Sequence, residues 1–115
     1  MIKDLKSILT TLKDVQITTC SIDPQDEGSL IRGSNKDGGL AVFDTYPNPI
    51  CDVAMGIQSV DGLLSRIDLF DIEKASVDLD ETSSHVRSIT IKEGKKKASY
   101  RFQTSSRLSI PNKNP

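Results

Sequence analysis

Apolar residues change their spacing along the chain, and each change marks an element. Ile2, Leu5, Ile8, Leu9, Leu12 and Val15 recur every three or four residues, the stripe of an amphipathic helix over 2–15. In CDVAMGIQ, residues 51–58, Cys51, Val53, Met55 and Ile57 alternate with Asp52, Ala54, Gly56 and Gln58, the period of a half-buried strand. From Val60 apolar residues fall at the helical spacing 60, 63, 64, 67 and 70. The strand therefore passes at Ser59, a good N-cap residue, into a second helix over 60–70.

Strands are predicted over 17–23, 29–34 and 40–46, separated by the turn-forming stretches PQDEG and NKDGG. Pro47-Asn48-Pro49 breaks the pattern, because proline cannot donate to a sheet ladder. Three further strands are predicted over 76–80, 86–92 and 97–104. Glu93-Gly94-Lys95-Lys96 joins the last two, with Gly94 in the left-handed position of a hairpin turn. After Ser105 the chain continues as RLSIPNKNP, an extended tail. The fold class is α+β. The second group of elements is a β-α-β-β-β unit and the first is the same unit without its opening strand, a symmetry of pattern with no sequence repeat.

With 115 residues, 36% hydrophobic and 27% charged, the chain makes one polar domain with a modest core. The net charge of −1 argues against gripping nucleic acid with the whole surface, but 15 basic residues leave room for a local basic face. No apolar run approaches the length of a membrane span, and the N-terminus has no uninterrupted apolar core for a signal peptide. Cys20 and Cys51 lack motif spacing, which favours reduced thiols in the cytoplasm.

The chemistry of a catalytic site is missing. His85 is the only histidine, there is no CxxC pair for a metal, and neither cysteine sits in a nucleophile context. GSNKDGG at 33–39 lacks the order of a phosphate-binding loop and reads as a turn. The expectation is a non-enzyme without cofactor or metal.

Three stretches carry a family likeness: KSILTTLKDVQITTCSI, a helix running into its strand; VAMGIQSVDGLLSRIDLF, a strand passing through Asp-Gly into a helix; and KKASYRFQTSSRLSIPNKNP, a strand leaving through a Pro-Asn-Lys segment. In these the chain resembles the N-terminal domain of a DNA polymerase sliding clamp, the ring-shaped processivity factor, as found in T-even-type bacteriophages. The resemblance implies two helices on one face of antiparallel sheets, with residues 1–105 as the clamp-like domain and 106–115 as the start of an interdomain connector. It also implies tethering of the polymerase by encircling duplex DNA, with no chemistry of its own. The implied partners are duplex DNA without sequence preference, DNA polymerase and a clamp loader, in the host cytoplasm if the source is viral. Clamp subunits hold two or three such domains and a first short strand that is here absent or reduced to Met1, so the resemblance implies a truncated chain or an incomplete reading frame. The full-length protein would form a ring of identical subunits and this chain alone a monomer.

In that family the helices line the channel. Lys3, Lys6 and Lys13 fall within an arc of about 80° beside the apolar stripe, a row roughly 15 Å long suited to phosphate contact. Arg66 is the only base of the second helix, opposed by Asp61 and Asp68, and completes the expected DNA-facing set. The bland reading is that these lysines are solvated and that Lys13 complements the helix dipole. Lys92, Lys95, Lys96 and Lys97 form a denser run, read as a solvated hairpin tip that blunts a sheet edge. The alternative to a clamp is a small α+β protein-interaction or viral assembly domain without DNA function.

Overall fold

A computed structural model describes residues 2–35, 41–48 and 50–103. The elements are α1 (Ile2–Asp14), β1 (Thr19–Gln25), β2 (Gly28–Ser34), β3 (Ala41–Tyr46), β4 (Met55–Ile57), α2 (Val60–Ile67), β5 (Ser76–Glu81), β6 (Val86–Glu93) and β7 (Lys96–Arg101). They form an α+β fold of two helices and two antiparallel sheets, ordered β3-β2-β1-β4 and β5-β6-β7. The turn expected over 36–39 and the tail beyond 103 lie outside the described residues.

The first helix ends before the residue that the periodicity places last on its stripe. Gln16 takes a left-handed conformation (φ 66°), and the Ile17 N–H donates to Leu12 O while Gln16 N–H donates to Lys13 O, each at 2.9 Å. These two bonds make a Schellman cap with glutamine where glycine is usual. The turn throws Val15 outward, 47% exposed, and puts Ile17 into the core in its place. Periodicity alone cannot register such a reversal, because both residues are apolar.

In the four-stranded sheet, Ile22 faces Ile31 on one side and Met55 on the other, and Cys20 pairs with Gly33 and Ile57. Their shared face packs under Leu5, Ile8, Leu9 and Leu12 of α1. The β1–β2 hairpin turns through Asp26 and Glu27 into Gly28. Gly28 has φ 108°, and a Cβ there would meet the Tyr46 carbonyl oxygen at 2.1 Å, so only glycine lets β3 approach. The buried Ser29 hydroxyl donates to Asn48 O (3.1 Å) and accepts from Ile50 N–H (3.2 Å), stitching the segment after β3 back onto β2.

The strand expected over 51–58 is corrected to three residues, Met55–Ile57. Cys51 is buried, but its thiol bonds to Val53 O (2.9 Å) in an irregular stretch rather than a ladder. At Ala54 the chain passes to the second sheet, where Ala54 O accepts from Val86 N–H (2.8 Å). Gln103 N–H in turn reaches Gly56 O at 2.9 Å, so β4 joins the two sheets. The alternation in 51–58 corresponds neither to continuous pairing nor to alternating burial, since Met55, Gly56 and Ile57 are all buried.

The second helix is capped as expected, the Ser59 hydroxyl accepting from Gly62 N–H (2.9 Å), and it ends at Ile67, three residues short of the expected end. Val60, Leu63, Leu64 and Ile67 join the same buried cluster as α1, with Ile89 and Ile91 from β6. Gly94 takes the left-handed position of the β6–β7 turn (φ 61°), as its sequence predicts.

Candidate nucleic-acid interface

The helices lie side by side and antiparallel, and the row of lysines faces the seam between them. Lys6 Nζ is 3.2 Å from Asp68 Oδ1, Lys13 Nζ is 3.4 Å from Asp61 Oδ1, and Lys3 Nζ reaches Glu73 Oε1 at 3.0 Å just beyond α2. Early positions of α1 thus pair with the end of α2 and late ones with its start. The geometry follows from the sequence: Lys6 and Lys13 lie on one flank of the α1 stripe, and Asp61 and Asp68, seven residues apart, lie on one flank of α2.

These are surface pairs. Lys3 and Glu73 are 72% and 70% exposed, and Lys13 and Asp61 are 58% and 70% exposed. Such a pair stabilises by about 0–1 kcal/mol, so a phosphate can displace the carboxylate at small cost. The acids also lower the local potential, which weakens attraction for a polyanion. The arrangement is therefore a row of lysines held in register and damped in charge by α2 and the residues just after it.

Arg66 is not brought to this row. It lies on the opposite flank of α2, where its guanidinium donates from Nε to Ser99 O (3.0 Å) and from NH1 to Gly62 O (2.7 Å). It also stacks 5.4 Å from the centroid of Tyr100. The Tyr100 hydroxyl accepts from Ser59 N–H at 3.0 Å, so ring and arginine together close the space between α2 and β7.

The hairpin bases divide into held and unheld. Lys96 Nζ donates to Leu69 O (2.8 Å) and sits over Phe70, and Lys92 faces Asp78 at 3.8 Å. Lys95, Lys97 and Arg101 are exposed. Arg87, also exposed, pairs with Asp80 at 2.7 Å across the second sheet.

The remaining candidates for chemistry are tied into structure. His85 Nδ1 lies 3.1 Å from Thr82 Oγ1 and 3.2 Å from Ser84 Oγ in the turn before β6. Both cysteines are free and buried; burial pushes the Cys20 thiol up to about 12, and burial together with nearby Glu81 pushes Cys51 up to about 11. Neither is a thiolate nucleophile near neutral pH. Among the described residues no group of three or more His, Cys, Asp or Glu is placed to hold a metal, and no helix is long and apolar enough to cross a membrane.

What the sequence reading missed is the acid set Asp61, Asp68 and Glu73 as direct partners of the lysines. The signal was legible: Asp61 and Asp68 share a helix flank at the same spacing as Lys6 and Lys13. In comparisons with known proteins, no protein-family model and no curated protein matches the chain.

Proposed function

We propose that this chain is a sliding-clamp domain that presents its paired helices to duplex DNA and tethers a polymerase without chemistry of its own. The observation that carries the reading is the interlocking of two like units. α1-β1-β2-β3 and β4-α2-β5-β6-β7 exchange the strand β4, which pairs with β1 of the other unit, and their helices run antiparallel on the core side of the sheets. A clamp needs a smooth, weakly attractive inner face rather than a tight grip, and lysines damped by carboxylates at 3.0–3.4 Å fit that need. The three lysines are the DNA-facing set in this reading. Arg66, turned to β7, belongs to the framework.

The test is duplex binding by the isolated chain across a salt series. With about three phosphates neutralised, log K falls with log salt at a slope near −3, with no preference among unrelated sequences. Sequence-specific binding, or binding indifferent to salt, contradicts the reading. A second reading, a protein-interaction domain, is favoured by the same ion pairs, since they leave little net positive charge on the helix face. In that case duplex binding is absent even at low salt.

A further inference from the structure

The space between each helix and the edge strand beneath it is treated differently in the two units. On α2 the flank residues Gly62 and Arg66 face β7, and the space is filled: Tyr100 lies under the guanidinium, and a Cβ on Gly62 would stand 3.5 Å from its ring. On α1 the corresponding flank carries Ser7 and Thr11, two short side chains. Tyr46, an aromatic residue lining this space, donates from its hydroxyl to Asp4 Oδ1 at 3.0 Å, a bond that raises the tyrosine pKa. An open groove of about 340 Å³ is left, with Ile8, Leu12 and the exposed Val15 as one wall, Ile31 as the floor, and Asp44 and Tyr46 on the β3 side.

We propose that this groove receives an aromatic side chain next to a lysine or arginine, presented by a partner protein. Two observations determine the chemistry. The second unit shows what fills such a space in this fold, a tyrosine ring with a guanidinium stacked on it. The groove also carries an exposed carboxylate, Asp44, whose Oδ1 is held by the Thr45 N–H at 2.8 Å, leaving the other oxygen to meet a cation. Apolar walls around one charged group are the usual composition of an anchor pocket, in which aromatic residues and arginine contribute most of the affinity. The proposal does not depend on DNA binding and concerns a different flank of α1.

The test uses the full chain with methyl labels and two dipeptide probes, N-acetyl-Arg-Tyr-amide and N-acetyl-Gln-Tyr-amide, titrated to millimolar concentration. The arginyl probe is expected to shift the methyls of Ile8, Leu12, Val15 and Ile31. Asp44→Asn should weaken it about two- to fivefold, the range of an exposed ion pair, and leave the glutaminyl probe unchanged. The double variant Thr11→Arg, Asp44→Tyr rebuilds the filled arrangement of α2 and should abolish the shifts without lowering the melting temperature. No methyl shifts in the wild type overturns the proposal, as do shifts that persist in the folded double variant. Equal loss of both probes in Asp44→Asn overturns the cationic half of it.

Discussion

The strands β1 and β5 each follow the helix of their unit, yet they live in different surroundings. β1 lies between β2 and β4, and its inward residues Cys20 and Ile22 are fully buried. β5 has β6 on one side only, and its inward residues Val77 and Leu79 are half-buried although they face Ile91 and Ile89 as Cys20 and Ile22 face Gly33 and Ile31. The difference is the exchanged strand. β4 covers β1, and among the described residues no strand covers β5. Pattern repeats can thus hide an unequal distribution of burial, and with it of stability.

The largest expected contrast follows directly. Ile22→Ala should cost about 3–4 kcal/mol in denaturant unfolding, because it empties a fully enclosed site, and Leu79→Ala about 1–2 kcal/mol, because water already reaches that site. Equal losses break the comparison and mean that β5 is covered in solution. The hairpin turns give the next contrast. Gly28→Ala combines a left-handed φ with a clash against Tyr46 O and should cost about 2–3 kcal/mol; Gly94→Ala, in open space, should cost about 1 kcal/mol.

A third contrast is chemical. The thiol of Cys20 on β1 has its pKa raised by burial from an ordinary 9.0 to about 12, whereas β5 carries no cysteine. Above pH 9 the unfolded chain loses this proton while the folded chain keeps it, so the unfolded state binds fewer protons and stability falls as pH rises. The fall should approach about 1.4 kcal/mol per pH unit between pH 9 and 12 for this thiol. Cys20→Ala, measured against wild type over the same range, should show a shallower slope. The smallest effect lies at the helix ends. Gln16→Gly should stabilise by about 0.5–1 kcal/mol by relieving the left-handed glutamine. Asp68→Gly should give no such gain, since Asp68 is right-handed (φ −67°).

Much of this fold was legible from spacing. The element order, the helix starts, the Ser59 cap and the Gly94 turn follow from side-chain period and turn chemistry, which are local. What escaped was set by distant contacts. The reversal at Gln16 trades Val15 for Ile17, which look alike as apolar residues. Cys51 and Val53 alternate like a strand, but Ala54 is taken by the other sheet through Val86. The four bases of the candidate site were found by type, and three of them share a seam. Arg66 was grouped with them as the one base on α2, although the helical angle between Arg66 and Asp61 already separates their flanks.

The charge row at the seam offers the most direct measurement: duplex binding at low salt by three folded variants, followed by anisotropy with circular dichroism as the folding control. Neutralising the lysines (Lys3→Gln, Lys6→Gln, Lys13→Gln) should remove most binding. Neutralising their carboxylate partners (Asp61→Asn, Asp68→Asn, Glu73→Gln) should tighten binding and steepen its salt dependence, because the lysines are freed for phosphate. Changing Lys95, Lys96 and Lys97 to Gln should matter least. If the hairpin variant loses binding while both seam variants bind as wild type does, the helix pair does not face DNA and the clamp reading is contradicted.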